Sequence, residues 1–244
     1  MNWLQRHWDA RAAANFMLGG AGSGLMVAAL FVPDSHFPVI LSLVLVASGL
    51  TAVWLETGRK LRAIHVFFNP FTSWMTRESF AALLLFPLGI GAIFVPSALP
   101  FAAAAALVFL YCQARILRAS KGIPAWRAPE VVPLIVFTGL AEGAGVALLF
   151  SVDDFLVVFF ALAVAARFVA WRRYRAAVPG KALEPAGKAL VWIGTLAALA
   201  LLLVPPLAGL AALAAGGWLK FALVTRASFN QGFSLPHLPV RGTR

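Results

Sequence analysis

The sequence predicts an all-α integral membrane protein with eight transmembrane helices, and three observations lead to this fold class. Hydrophobic residues make up 61% of the chain and charged residues only 12%, about half the charged fraction of a typical soluble domain. Apolar runs of about 20 residues, the length that crosses a bilayer as a helix, recur along the chain. The basic residues gather in alternate connections between these runs, as expected for the cytoplasmic side of a membrane protein.

Eight apolar runs account for most of the chain, and we expect them to form one membrane domain made of two four-helix bundles. The last two runs are divided only by Pro205 and Pro206, and two short helices with a tight turn fit this segment better than one very long span. The predicted spans are residues 12–32, 37–58, 76–95, 99–118, 129–150, 154–172, 188–204 and 206–224.

The basic residues predict how these spans are oriented. With Arg167 counted in the sixth connection and Lys220 in the C-terminal segment, all 20 Lys and Arg residues fall at the two termini and in the even-numbered connections. The positive-inside rule then places both termini in the cytoplasm, which predicts a multi-pass protein of the bacterial cytoplasmic membrane. The net charge of +11 therefore indicates basic cytoplasmic connections and an acidic protein partner rather than nucleic acid.

The cysteine and histidine content argues against several redox groups within this chain. The single cysteine, Cys112, excludes an intrachain disulfide and provides no ligand set for an iron–sulfur cluster or a structural zinc. The four histidines fall in or near connections, whereas a haem is usually held by axial ligands on the spans. We therefore expect no haem and no metal site here; the histidines are His7, His36, His65 and His237.

The glycines of the first span predict close helix packing. Residues 19–26, GGAGSGLM, have no strand before them and no GK[ST] after them, so they do not predict a phosphate loop. Gly20 and Gly24 instead form a small face of the kind that lets two membrane helices approach closely, and Gly139 and Gly143 repeat it in the fifth span.

Three carboxylates lie at or inside the predicted spans, where an acid is costly and suggests function. Glu56 ends the second span, Glu78 opens the third, and Glu142 lies well inside the fifth. Structural alternatives exist for each. Glu78 suits a helix N-terminus, Glu56 has Arg59 or Lys60 nearby as partners, and Glu142 in its protonated form suits a hydrogen bond between helices.

Residues 56–78, ETGRKLRAIHVFFNPFTSWMTRE, carry the most specific pattern in the chain. They resemble the membrane-anchor subunits of molybdopterin oxidoreductases, the dimethyl-sulfoxide-reductase anchor and polysulfide-reductase membrane-subunit families, whose pattern runs approximately HLGRP…RA…N…SW.SRE. Thr76 takes the place of a serine, Glu56 stands where the family often has histidine, and Lys60 replaces a proline. The matching positions are Gly58, Arg62, Ala63, Asn69, Ser73, Trp74, Arg77 and Glu78.

The resemblance implies a haem-free subunit that binds a quinone, either ubiquinone or menaquinone, near the end of the bundle. An iron–sulfur partner subunit would face this end and pass electrons to or from a molybdopterin catalytic subunit. Glu78 would exchange protons with the quinone, with Glu56 as the second acid. The residues implied in quinone binding are Asn15, Arg62, His65, Asn69, Trp74 and Arg77.

The chemistry of quinones favours the same segment. Reducing a quinone takes two electrons and two protons, so its site needs titratable groups beside an apolar slot. The connection and the adjoining span ends contain both kinds of residue. The titratable and basic candidates are Glu56, His65, Arg77 and Glu78, and the aromatic candidates are Trp54, Phe67, Phe68 and Trp74.

The orientation bears on the substrate that the resemblance implies. Because the motif lies on the basic side, the partner subunits are expected in the cytoplasm. Among cytoplasmic enzymes of this type, the chain looks most like the anchor of phenylacetyl-CoA:acceptor oxidoreductase, which would pass electrons from substrate to quinone. The anchor of a membrane-bound sulfite dehydrogenase is an alternative, and a small eight-span transporter or scaffold is an alternative of another class.

Overall fold

The computed structural model describes residues 4–5, 8–57, 60–178 and 180–230. Within this part of the chain, seven helices are long and apolar enough to cross a membrane, and a further apolar helix has 17 residues. The chain is therefore a helical, multi-pass membrane protein. We number the helices α1 (Ala10–Phe31), α2 (His36–Glu56), α3 (Trp74–Phe94), α4 (Pro96–Ala119), α5 (Val131–Ala147), α6 (Asp154–Ala177), α7 (Glu184–Leu203) and α8 (Pro205–Thr225).

Two helix lengths differ from the predicted spans for local reasons. The apolar residues after α5 form a tight turn instead of continuing the helix, with Leu149 N donating to Val146 O and Phe150 N to Ala147 O. At the other extreme, α6 continues five residues past the predicted end at 172. Its last two turns include Arg172, Arg173 and Arg175, and arginine is a good helix former, so the helix continues past the apolar run.

Polar side chains cap the first turn of helices at points where the sequence changes from a connection to a span. Asp9 accepts a hydrogen bond from Arg11 N at 2.7 Å, and its hydrogen bonds with Arg11 hold the pKa of the Asp9 carboxyl below its ordinary value. Ser73 caps α3 by accepting from Thr76 N at 3.3 Å. Such caps satisfy the free N–H groups of a first turn and fix where the helix begins.

Two central helices join the halves of the bundle. Consecutive helices pack together within each half, and α1 of the first half lies against α5 of the second. A Cβ atom on Gly24 would overlap the Gly139 carbonyl, and one on Gly143 would overlap the Gly24 backbone. The close packing predicted for the glycine faces is therefore confirmed, since the two backbones approach where side chains are absent.

The two ends of the described chain meet at one end of the bundle. Gln5 N donates to Ser228 O at 3.0 Å, and Leu4 pairs with Phe229 in an isolated bridge. The Gln5 side chain also donates to Trp8 O at 2.9 Å, which ties this pairing to the segment before α1. The described residues that precede α1 and those that follow α8, up to residue 230, therefore lie on the same side of the bundle.

Two of the basic residues counted in the connections are instead buried within the helix bundle. Arg167 is in α6 and Lys220 in α8, and both are fully buried. The sequence-based assignment of these two residues is therefore wrong. Both are tolerated in apolar helices because partners reach them from other helices. Other residues invoked in the sequence analysis lie outside the described residues: His7, Gly58, Arg59 and His237.

Candidate functional site

A cavity of about 220 Å³ lies where the start of α1, the end of α2 and the start of α3 meet. Three of the predicted site residues, Asn15, Glu56 and Glu78, lie on its wall. The rest of the wall is largely apolar and comes from Trp8, Ala12, Phe16, Val53, Thr57, Met75 and Ile116. The fold therefore brings two acids and an amide together against apolar and aromatic surface.

Glu78 is the most enclosed acid of this cavity. It lies in the first turns of α3 and is only 6% exposed, although the helix begins just four residues earlier at Trp74. The amide Nδ2 of Asn15 faces its Oε1 at 3.5 Å, and Gln113 of α4 lies beside it. Amide donors and the positive end of the helix dipole compensate in part for burial of the carboxylate.

Asn15 reaches Glu78 from a distorted part of α1. It begins a short π-helical stretch, Asn15–Gly19, and π-helical turns within helices often occur at functional sites. Gln113 Nε2 donates to the Asn15 carbonyl at 2.9 Å and so couples α4 to this stretch. Gln113 was missed from the sequence, although a single amide in an otherwise apolar helix is a signal of this kind.

Glu56 lies at the mouth of the cavity and is partly buried. The structural alternative was a pair with Arg59 or Lys60. Lys60 lies over the Trp54 ring, 5.0 Å from its centroid, and Arg59 is outside the described residues. The nearby cation is Arg11, which donates to Leu55 O at 3.3 Å. Glu56 therefore lines the cavity, and no ion pair joins it to Lys60.

Arg77 and Trp74 belong to a different cluster, although they flank Glu78 in the sequence. Arg77 donates to the carbonyls of Pro70 and Phe71, at 2.8 and 2.7 Å, and so holds the connection against α3. Its guanidinium lies 4.2 Å from the centroid of the Trp74 ring, and that of Arg115 lies at 4.1 Å. These two predicted site residues thus form a cation–aromatic cluster that positions the connection.

The remaining predicted site residues lie on the exposed connection between α2 and α3. Arg62 and His65 share a 3₁₀-helical segment, Lys60–Phe68, in which His65 Nδ1 lies 3.0 Å from the Arg62 carbonyl. Asn69 follows it, and its carbonyl accepts a hydrogen bond from Ser73 N at 3.1 Å. All three side chains are exposed, and none lines the cavity around Glu78.

The predicted aromatic slot is also composed differently. Trp54 and Phe68 are exposed, and Phe67 packs edge-on against Phe80 with 5.5 Å between ring centroids. The cavity receives its aromatic surface instead from Trp8 and Phe16 at the start of α1. Sequence reasoning concentrated on the connection and so missed the contribution of the first helix.

A second buried polar cluster lies deeper in the bundle. Lys220 Nζ lies 2.5 Å from Glu142 Oε2, so Glu142 on α5 has an ionisable partner on α8. Arg167 of α6 donates to the Ala212 carbonyl at 2.9 Å and also to the Gly194 carbonyl. Both cations were missed, although a base within an apolar run that faces a buried acid is a recognisable signal.

The composition of the cavity around Glu78 limits the chemistry that it can perform. The cavity combines an apolar wall with convergent carboxylates and amides, which suits a ring with polar oxygens and allows proton exchange at them. Within the described ranges, no group of three or more His, Cys, Asp or Glu side chains is arranged to hold a metal ion.

Comparison with known proteins adds no family assignment, since no protein-family model and no curated protein matches the chain. The resemblance of residues 56–78 to molybdopterin oxidoreductase anchors therefore stays a prediction.

Proposed function

We propose that this chain is the haem-free membrane anchor of a molybdenum oxidoreductase and that it binds a quinone head group in the cavity around Glu78. The observation that carries the proposal is the meeting of Asn15, Glu56 and Glu78 in one largely apolar cavity. Its volume of about 220 Å³ exceeds the ~150 Å³ of an apolar cavity that takes up benzene. One quinone ring therefore fits, with its tail leaving between the helices.

The residues around the cavity suit the protonation of a quinone. Ubiquinone or menaquinone takes up two electrons and two protons when it becomes a quinol. Glu78 supplies or removes protons inside the cavity, Glu56 exchanges them at the mouth, and the Asn15 amide orients a ring oxygen. The electrons come from an iron–sulfur partner subunit, and the molybdopterin catalytic subunit oxidises the substrate.

The proposed arrangement in the membrane has eight crossings with both termini in the cytoplasm of a bacterial cell. The pairing of Leu4 with Phe229 supports it, because ends that meet on one side require an even number of crossings. With seven long helices, α5 must then cross as well, and its 17 residues reach the lower limit of about 17 for a span. The exposed basic ends of α4 and α6 then face the cytoplasm, where the partner subunits dock.

We infer the substrate from the proposed cytoplasmic position of the catalytic subunit and from the resemblance. Both favour phenylacetyl-CoA as the electron donor, with the quinone as the acceptor. Sulfite is the alternative donor. Purification of the intact complex, followed by reduction of its clusters with each donor in turn, separates the two.

A small transporter is the second candidate, and the buried Glu142–Lys220 pair favours it, since transporters hold ionisable groups near the middle of the membrane. The two candidates differ in their partners. An anchor subunit co-purifies with an iron–sulfur protein under mild detergent, whereas a transporter is isolated alone and moves a solute into vesicles.

Quinone binding is tested most directly with a photoreactive quinone analogue added to the chain in lipid nanodiscs. Label should appear in residues 8–16, 53–57 and 75–78, and a short-chain quinone should compete for it. Ala12→Phe fills the cavity and should abolish labelling, while Ala104→Phe on the exposed face of α4 is the matched control. Equal labelling of both variants would show that the quinone does not bind in this cavity.

A further inference from the structure

A line of buried polar side chains connects the cavity with the Glu142–Lys220 pair. It starts at Glu78, passes Asn15 at 3.5 Å, and continues to Gln113, whose amide lies 2.9 Å from the Asn15 carbonyl. Beyond Gln113 the line reaches Lys220. Gln113 Oε1 lies 3.4 Å from the point where a Cβ atom on Gly20 would stand, and Lys220 Nζ lies closer still to that point.

Several polar atoms along this line have no protein partner. Ser23 Oγ, Gln113 Oε1 and Glu142 Oε1 are buried, and none of the described side chains or backbone groups forms a hydrogen bond with them. Ser23 follows Gly20 by nearly one helical turn and so lies near the same face of α1. Buried polar atoms of this kind are normally satisfied by internal water, which forms about three hydrogen bonds. Together with Asn15 Oδ1, which also has no partner among the described residues, these atoms mark positions for water molecules along the line.

Glycines on three helices make room for the charged side chains. A Cβ atom on Gly20 would overlap Lys220 Nζ, and one on Gly216 would lie 2.5 Å from Glu142 Oε1. A third, on Gly194, would lie 3.0 Å from Arg167 Nη2. The packing of α1, α7 and α8 is thus shaped around this cluster.

The charges of the two clusters balance one another. The described buried ionisable groups that carry charge in their usual states are the acids Glu78 and Glu142 and the bases Arg167 and Lys220. Uptake of a proton by Glu78 removes one negative charge and leaves an excess positive charge inside the bundle. Since charges interact strongly in a medium of low dielectric constant, this excess favours loss of a proton from the inner pair.

Stability alone does not account for such a cluster. Replacing a buried ion pair by well-packed apolar residues is often neutral or stabilising, and ionisable residues in membrane helices commonly mark proton or ion pathways. The groups that face Glu142 are Lys220 from α8 and Arg167 from α6. Those that face Lys220 are Glu142, Arg167 and, from α4, the neutral Gln113.

We propose that the Glu142–Lys220 pair is an internal proton-loading site that exchanges protons with Glu78 through water held at Gln113 and Ser23. A proton that enters at Glu78 moves along this water chain and is bound by the inner pair, which leaves Glu78 ionised again. The next proton bound at Glu78 favours release of the first from the pair. Arg167 stays charged and fixes the positive field around the pair. The inference requires proton exchange at Glu78 but no quinone, so it stands or falls separately from the proposed function.

Infrared spectroscopy of the quinone-free chain in lipid nanodiscs tests this site. The band of protonated carboxyl groups is followed from mildly acidic to mildly alkaline pH, and Glu142→Gln identifies the contribution of Glu142. We expect the Glu142 band to titrate and its midpoint to shift in Glu78→Gln. A Glu142 carboxylate that stays ionised at every pH and ignores Glu78→Gln would overturn the proposal and leave a structural ion pair.

The path itself is tested by the rate at which the Glu142 carboxyl exchanges with deuterium. Ser23→Ala should slow this exchange by about tenfold, which corresponds to ~1.4 kcal/mol of added barrier. Ser48→Ala, on the exposed face of α2, is the matched control and should leave the rate unchanged. Equal rates in the two variants would refute the path.

A double variant controls for misfolding of Glu142→Gln. Glu142→Gln leaves Lys220 without its partner, so the double variant Glu142→Gln, Lys220→Met removes both charges together. If the double variant is monodisperse and lacks the band, the band belongs to Glu142. If a folded double variant retains the band, that assignment is refuted, and the proposal with it.

Discussion

Lys220 Nζ and Glu142 Oε2 lie 2.5 Å apart in a part of the bundle where the two side chains are 0% and 1% exposed. The pair connects the last helix with α5, the shortest of the eight. Burial makes the two charges depend on each other, because either one alone is poorly solvated by the apolar surroundings. Removal of one partner should therefore cost far more than removal of both.

Lys220→Met should lower the free energy of unfolding by about 3–5 kcal/mol, since it leaves Glu142 buried without its counter-charge. The double variant Lys220→Met, Glu142→Leu should recover most of that loss. Unfolding of the chain from mixed micelles by a denaturing detergent measures both effects. Lys188→Met is the control: it breaks an exposed pair with Glu184 and should have no measurable effect. A Lys220→Met variant as stable as this control would contradict the prediction.

Gly24→Ala should weaken the contact between α1 and α5, because the new methyl group overlaps the Gly139 carbonyl. Overpacking of this kind costs roughly 1–3 kcal/mol. The same detergent titration measures the loss. Gly91→Ala in α3 is the matched control, since no atom lies within 4 Å of its added Cβ. If the two variants unfold at the same detergent fraction, the glycine contact does not limit the stability of the bundle.

The helical membrane fold was predictable because hydropathy reports directly on burial in lipid. Every long helix overlaps one predicted span, and the division at Pro205 and Pro206 occurs where two prolines begin α8. Proline suits the first turn of a helix, where its missing N–H group costs nothing. Helix ends such as that of α5 were less predictable, since a turn and a helix can both accommodate Leu148, Leu149 and Phe150.

The candidate site was predictable only in part. Glu56 and Glu78 stand out as acids at span ends, and the fold brings them to one cavity with Asn15. Arg77 adjoins Glu78 in the sequence, but successive residues of a helix point about 100° apart, so it faces the connection instead. Gln113 lies 98 residues from Asn15 along the chain, and only the packing of α4 against α1 reveals their contact.

Arg118→Glu combined with Lys121→Glu should weaken binding of the proposed iron–sulfur partner. Both side chains are exposed at the end of α4, so they can attract an acidic surface without a role in the bundle itself. Arg115 is less suitable because it stacks on Trp74. Co-purification at increasing salt measures the effect, since exposed charges are screened beyond about 10 Å at ~0.1 M salt. Asp34→Lys at the opposite end is the control and should not change co-purification; a partner retained equally by both variants would place docking elsewhere.

Glu78→Gln should abolish proton exchange at the proposed quinone site while leaving the protein assembled. Glutamine preserves the shape of the side chain and its contact with Asn15, but it does not titrate. Quinone-linked turnover of the complex should fall by roughly 10²-fold, the usual scale for loss of a positioned acid or base. Reduction of an artificial dye by the catalytic subunits should be unchanged, because it bypasses the membrane subunit.

Glu56→Gln distinguishes the inner acid from the one at the mouth of the cavity. Glu56 is less buried than Glu78 and has Arg11 nearby, so water can replace part of its role and its loss should cost less turnover. If turnover survives Glu78→Gln but collapses in Glu56→Gln, proton exchange belongs to the end of α2. If both variants retain full quinone activity with normal dye reduction, the two acids only hold the helix ends together, and the cavity is not where the quinone reacts.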